Sequence, residues 1–271
     1  MILKHLKSIF DFYINSSLHV SLATASLVLM TYYFNRMQIN YNVVLFVFCG
    51  TLLSYNTIKY GSYILKNTIL KKSLKLIIVL SLLSFIFCTF LFFKLSTTAQ
   101  LAILFFAFLS VLYLIPFGKK QRNLRNFAGI KIYIVSFCWA GVTTLIPLFN
   151  ADISIENDII FKFLQRFVLT LILILIFEIN DLKYDDVRLK TVPQAIGVKN
   201  TKKIVYFLLI CFFVLEFFKA NQYQNQWIVN LILISIIFMF TFFANARRSK
   251  YYTLFWVESI PMIWYLLVLI F

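Results

Sequence analysis

Three acidic residues lie where a long apolar stretch becomes polar. Glu178, Asp181 and Asp185 are spaced i, i+3 and i+7 at the end of an apolar run. If a helix continues through them, this spacing places the three carboxylates on one face. Like charges in that arrangement repel one another, and desolvation near a membrane interface adds to the cost. We therefore expect a cation to compensate them.

The neighbouring residues indicate which cation and which ligand would suit this cluster. No His or Cys lies close to it in sequence, and oxygen-only ligands suit Mg²⁺, which usually takes one or two carboxylates and shares phosphates of a substrate. Arg188, Lys190 and Lys199 follow just downstream and could hold phosphate oxygens. The pattern predicts a site for a diphosphate whose tail lies in lipid. The alternative is an interfacial loop whose mixed charges are solvated and pair with each other.

The composition indicates the elements that must position this cluster. Of 271 residues, 62% are hydrophobic and 13% are charged, so the solvent around the fold must be lipid. Because unpaired backbone amides are too costly in hydrocarbon, we predict an all-α polytopic bundle, with roughly 20 apolar residues for each span. Residues 1–271 are expected to form a single membrane domain. Nine windows are predicted, at approximately 12–34, 41–63, 75–94, 98–117, 130–149, 159–179, 203–219, 226–244 and 253–271.

The net charge of +16 is distributed in a way that indicates a membrane orientation. Most Lys and Arg residues fall in alternate loops, which is the positive-inside pattern and argues against a nucleic-acid partner. We predict that the amino terminus and the acidic cluster are cytosolic and the carboxyl terminus external, in a bacterial inner membrane. The basic residues assigned to the cytosolic side are Lys4, Lys7, Lys59, Lys66, Lys71, Lys72, Lys75, Lys119, Lys120, Arg122, Arg125, Lys131, Lys183, Arg188, Lys190, Lys199, Lys202, Lys203, Arg247, Arg248 and Lys250.

The segment that carries the acidic cluster also resembles a known family. DLKYDDVRLKTVPQAIGVKNTK, residues 181–202, is similar to the second aspartate-rich motif of the UbiA family of intramembrane prenyltransferases, approximately DxxxD or DxxYDxxxD followed by a basic loop. Asp181, Tyr184 and Asp185 match it. Family members have nine transmembrane helices with aspartate motifs in helices two and six, and our sixth window ends beside Asp181. The basic loop of residues 119–131, followed by Trp139, Gly141 and Pro147, also resembles the family's loop and helix five.

The resemblance implies transfer of an isoprenoid chain from a polyprenyl diphosphate to an acceptor, usually aromatic, with release of pyrophosphate. Asp181 and Asp185 would coordinate Mg²⁺, with Glu178 as a further candidate ligand. The expected partners are the lipid bilayer and the isoprenoid diphosphate. The candidate diphosphate-binding residues are Asn56, Lys59, Lys119, Arg122, Tyr184, Arg188, Lys190 and Lys199.

The second predicted helix departs from the family pattern. Its expected first motif, approximately NDxxDxxxD, is replaced by LLSYNTIKYGSYILKN, residues 52–67, which has no carboxylate. Asn56, Lys59 and Tyr60 lie there at helical spacing, and the Lys59 ammonium could supply the positive charge that a metal otherwise brings, which would make it catalytic. Alternatively, Lys59 extends to the interface as long cationic side chains commonly do.

Competing functions follow from this departure. A noncatalytic relative would keep the fold and bind an isoprenoid or quinone-like lipid. A secondary transporter would also have many helices, but its site is expected near the bilayer midplane rather than at one face. Glu258, in the last predicted helix, is expected near the depth of Asp181 and could join the same polar pocket. The sequence does not indicate donor length, acceptor or oligomeric state.

Overall fold

The described residues form a helical bundle. The computed structural model describes residues 2–65, 72–114, 129–186, 189–220 and 225–271. The helices are α1 (Ile2–Asn15), α2 (Leu18–Phe34), α3 (Tyr41–Leu65), α4 (Lys72–Phe92), α5 (Thr97–Leu114), α6 (Ile130–Asn150), α7 (Asn157–Asp181), α8 (Val192–Val214), α9 (Gln226–Phe243) and α10 (Ile260–Ile270). A 3-10 helix, Leu215–Phe218, follows α8, and a π-helix, Tyr252–Val257, precedes α10.

The predicted all-α membrane bundle is confirmed. Six of the described helical segments are long and apolar enough to cross a bilayer, and the α1–α2 pair would add a seventh if it counts as one span. The helices α5 and α8 occupy the other two predicted windows. Large apolar side chains cover the outer surface of α4 and α5, including Phe85, Phe90 and Phe108. An apolar surface of this extent requires lipid around it, so the protein is integral to a membrane.

The first predicted span, 12–34, is wrong in one respect, because it is broken. The helices α1 and α2 meet at a bend of 55°. At this bend Ser17 has a left-handed backbone conformation with φ 64°. The hydroxyl group of Tyr251 donates a hydrogen bond to Asp11 on α1, which raises the pKa of Tyr251 and ties α1 to the segment before the π-helix.

Contacts between loops and helix termini define two ends of the bundle. We call one the Asp181 end, where Lys131 at the start of α6 meets Glu178 near the end of α7. We call the other the Asn157 end, where the backbone amide of Ala220 donates to Asp158 at the start of α7. Since α6, α7 and α8 alternate in direction, their polar termini collect at these two ends.

The helix α7 lies at the centre of the fold. It packs against α6, α8, the 3-10 helix and the π-helix. Its buried residues include Ile172, Ile176 and Ile179, all with no exposed surface. A central helix that is buried along most of its length holds its terminal side chains at a fixed depth.

The packing of α5 against α6 requires a glycine. A Cβ atom added at Gly141 would lie 1.9 Å from the Phe106 ring, so the bare backbone of α6 makes room for that buried side chain. Gly141 is one of the residues on which the resemblance to the UbiA family was drawn.

Candidate active site at the Asp181 end

The acidic cluster lies where α7 ends. The helix stops at Asp181 and a turn follows, so the condition that one helix continues through all three carboxylates is not met. The backbone amide of Asp185 still donates to the Asp181 carbonyl at 2.9 Å, which keeps the two residues one helical turn apart. The two carboxylates are close enough to repel each other. A cation at this point would relieve that repulsion.

Glu178 holds neighbouring helices together. Its Oε1 atom lies 2.8 Å from Lys131 Nζ in a mostly buried ion pair between α7 and α6. Its Oε2 atom accepts a hydrogen bond of 2.9 Å from the backbone amide of Val192, the first residue of α8. A carboxylate at a helix amino terminus satisfies a free amide and interacts favourably with the helix dipole. Glu178 thus positions α6 and α8 around the two aspartates.

The start of α8 is organised by its own sequence. The backbone amide of Thr191 donates to Gln194 Oε1 at 2.9 Å, and Pro193 occupies the first turn, where a missing amide proton costs little. Within α8, Gly197 adopts φ 80°, which interrupts the helical geometry. Both Lys190 and Lys199 are exposed near this segment.

Tyr184, in the turn after α7, is 71% exposed. Its ring contacts the Lys183 ammonium, which lies 4.7 Å from the ring centroid. Of the remaining candidate phosphate-binding residues, Arg188, Lys119 and Arg122 lie outside the described residues.

On α3, the two candidate residues point to different neighbours. Asn56 is buried at the interface with α4, where its Nδ2 atom donates to Ser81 Oγ at 2.9 Å. Lys59 instead points to the bend between α1 and α2, and its Nζ atom donates to Ser17 Oγ at 3.0 Å. The two residues therefore do not share the single direction that their helical spacing suggested.

Lys59 has an acidic neighbour on the last helical segment. Glu258, between the π-helix and α10, interacts electrostatically with Lys59. The same π-helix reaches α7, since Asn180 Nδ2 donates to Thr253 Oγ1 at 3.3 Å. Because the π-helix contacts α7 and Glu258 lies near Lys59, a short chain of contacts links Lys59 to the residue beside Asp181.

His19, near the bend, has hydrogen-bonding partners on α1 and on the last helical segment, whose positions the sequence did not indicate. His19 Nδ1 lies 2.7 Å from Tyr13 Oη, and His19 Nε2 lies 2.9 Å from the Phe255 carbonyl oxygen and 3.0 Å from Ser259 Oγ. These partners are separated by up to 240 positions in sequence. No local pattern connects them.

Among the described residues, no group of three or more His, Cys, Asp or Glu side chains is arranged to hold a metal.

The whole chain is similar in structure to two solved structures. One is a UbiA homolog from Archaeoglobus fulgidus bound to GPP and Mg²⁺, with a TM-score of 0.53, 12% sequence identity, and coverage of 96% of this chain and 94% of that one. The other is a UbiA homolog from the same organism bound to DMAPP and Mg²⁺, with a TM-score of 0.52, 12% identity and coverage of 96% and 93%.

The chain has the UbiA fold. The resemblance drawn from residues 181–202 is thereby confirmed at the level of architecture. No family model and no curated protein sequence matches the chain. In this fold, Asp181 is the last residue of the central helix α7 and Asp185 follows in the turn after it, while the second predicted span, α3, carries Asn56 and Lys59.

Proposed function

We propose that the protein is a UbiA-type prenyltransferase that moves an isoprenoid chain from a polyprenyl diphosphate to an acceptor within the membrane. The observation that carries the proposal is the pair of mutually repelling carboxylates, Asp181 and Asp185, at the end of the central helix of a UbiA fold. The similar solved proteins hold GPP or DMAPP together with Mg²⁺. An aromatic or quinone-precursor acceptor is part of the proposal.

The carboxylates fit Mg²⁺ by their chemistry. Glu178 is engaged with Lys131 and Val192, and Asp181 and Asp185 are proposed as the two carboxylates that would hold the cation. Two carboxylate ligands, completed by phosphate oxygens of a substrate, are the usual arrangement for this ion. When bound, Mg²⁺ would neutralise charge on the departing diphosphate.

The basic residues around this end would bind the diphosphate oxygens. Lys190 and Lys199 are exposed near the start of α8 and free to approach a ligand from the cytosolic side. Tyr184, Arg188, Lys119 and Arg122 complete the proposed set, together with Asn56 and Lys59 on α3. Lys59 is proposed to supply the positive charge of the metal ion that the carboxylates missing from helix two would otherwise hold. Its neighbour Glu258 would orient its ammonium group between ligand and protein.

The reaction transfers the allylic carbon from oxygen to the acceptor. The bond between the allylic carbon and the diphosphate oxygen breaks, and its electrons leave with the diphosphate. A nucleophilic atom of the acceptor then bonds to the allylic carbon, and its proton passes to the released diphosphate. Positive side chains aimed at the departing oxygens stabilise the charge that develops there, which lowers the barrier.

The membrane orientation is part of the proposal. The Asp181 end would face the cytosol in a bacterial inner membrane, with the amino terminus on the same side and the carboxyl terminus outside. The basic residues concentrated in loops at the Asp181 end support this orientation through the positive-inside rule.

A second candidate function is lipid binding without catalysis. It is favoured by the absence of carboxylates in residues 52–67, where the family pattern has its first aspartate motif. Such a protein would bind an isoprenoid or quinone-like lipid and release no pyrophosphate.

The test is pyrophosphate release by purified protein given farnesyl or geranylgeranyl diphosphate and a panel of aromatic acceptors, with Mg²⁺ or with chelator. Release that requires Mg²⁺ and an acceptor supports the enzyme. Donor binding that persists in chelator, with no release for any acceptor, would identify the lipid-binding protein instead.

A further inference from the structure

A buried arginine lies far from the candidate active site. Arg166 is on α7, nine residues after Asn157, and is 3% exposed. At a rise of about 1.5 Å per residue, it lies roughly 14 Å along the helix from that end and about 22 Å from Asp181. A cation at this depth of a membrane bundle needs compensation, and an arginine keeps its charge there.

All hydrogen bonds that Arg166 donates to described residues come from one nitrogen atom of its guanidinium group, Nη1. Its Nη1 atom donates to Thr31 Oγ1 on α2, and to the Thr143 carbonyl at 2.6 Å and Thr144 Oγ1 at 3.1 Å on α6. All three acceptors are uncharged. Neither Nε nor Nη2 donates to any residue in the described part of the chain. These two atoms form the edge of arginine that binds a carboxylate in a bidentate manner.

No acidic side chain neutralises Arg166. All ten Asp and Glu residues of the sequence belong to the described ranges, and none of them is a salt-bridge partner of Arg166 there. Glu216 is committed elsewhere, because its Oε2 atom accepts from Lys219 at 2.7 Å and from Asn230 at 2.7 Å. Asp158 accepts from the Ala220 amide at 2.7 Å.

The neighbouring charges leave a positive excess. Lys162 and Lys219 both lie close enough to Arg166 to interact with it unfavourably, and Asp158 and Glu216 are the acidic residues that interact with these lysines. Three cations against two carboxylates leave one uncompensated positive charge in the buried part of the bundle towards the Asn157 end. Because electrostatic interactions are strong where water is excluded, this excess favours binding of one negative charge.

We propose that Arg166 is the centre of a binding site for one monovalent anion, either a halide or a carboxylate, held through Nε and Nη2. A single negative charge balances the cluster, whereas a phosphate dianion would reverse its sign in a medium of low dielectric constant. The site is separate from the aspartate pair at the Asp181 end, and it does not depend on the proposed transferase activity.

Thermal unfolding of the purified full chain in detergent tests the site. At constant ionic strength, sodium methanesulfonate, whose anion is neither a halide nor a carboxylate, is replaced stepwise by sodium chloride, bromide, formate or benzoate. A saturable rise in melting temperature of about 2–5 °C is expected when the anion concentration is about ten times its dissociation constant. Stabilisation by chloride and bromide identifies a halide site, and stabilisation by formate or benzoate alone identifies the carboxylate group of an organic ligand. The absence of stabilisation by every anion would overturn the proposal.

Three variants distinguish this site from general salt effects. Arg166→Gln should lose the anion-dependent rise, whereas Arg248→Gln, which removes an exposed arginine at the opposite end, should keep it. Arg166→Lys retains the charge without the bidentate edge and should weaken anion binding at least tenfold. If Arg166→Gln does not fold, radiolabelled chloride and formate binding to wild type and Arg166→Lys decides the matter. Equal affinities of these two proteins would contradict the proposal.

Discussion

At the scale of single residues, the acidic side chains near the end of α7 have different tasks. Glu178 contacts Lys131 and Val192, and so fixes helices. Asp181 and Asp185 interact unfavourably with each other through their charges. This division separates structural effects of a substitution from effects on the proposed chemistry.

Removing either aspartate should abolish metal-dependent function. Asp181→Asn and Asp185→Asn are each expected to lower pyrophosphate release by at least 100-fold, because loss of one ligand weakens both metal binding and stabilisation of the leaving group. Lys59→Ala should lower release less, or raise the KM for the donor. The measurement is steady-state pyrophosphate release with a titration of Mg²⁺. Donor affinity that is independent of metal and unchanged in Asp181→Asn would refute the catalytic role.

Glu178→Gln should act on stability. Breaking the ion pair leaves Lys131 mostly buried without its charged partner, and weakens the cap on α8, so a loss of about 1–3 kcal/mol is expected. Combining it with Lys131→Met should cost less than the sum of the two single substitutions, since each removes the same interaction. Thermal unfolding of the four proteins measures this coupling, and strict additivity would show that the pair contributes nothing.

At the scale of helices, close packing between α5 and α6 depends on the absence of a side chain. Gly141→Ala should destabilise the protein by about 1–3 kcal/mol, because the added Cβ atom would overlap the buried Phe106 ring. Gly50→Ala is the matched control, since its Cβ atom would lie 4.0 Å from Cys88 Sγ and alanine favours a helix. Unfolding midpoints of both variants compare the two sites, and equal midpoints would argue against the close approach.

At the scale of the whole molecule, the basic loops predict its orientation. Single cysteines introduced near Lys71, Arg122, Lys190 and Arg248, in a chain whose four native cysteines are replaced, should be protected from impermeant thiol reagents in intact cells. Cysteines introduced near Lys94 and Asp152 should react. Labelling from outside near Arg122 would show that the assignment of the first four predicted spans is wrong.

The sequence by itself determined the membrane class, the approximate helix positions and the segment of residues 181–202. These features are local, because a span needs an uninterrupted apolar run and the aspartate motif is contiguous. The break at Ser17 was missed, although Asn15, Ser16 and Ser17 are residue types common in turns, because the window was drawn from hydropathy alone. The different directions of Asn56 and Lys59 were also missed. Helical spacing shows which residues share a face of a helix, but it does not show which other helix packs against each of them.

Only the tertiary structure decided which distant groups meet. Glu178 contacts Lys131 from another helix, Lys59 lies near Glu258 across almost 200 positions of sequence, and Arg166 contacts Thr31 and Thr143. The physical reason is that a buried polar group takes whichever partner the packing brings within hydrogen-bonding distance. Packing depends on the whole bundle, so a contiguous motif can indicate the chemistry of a site while the partners of its residues follow from the fold.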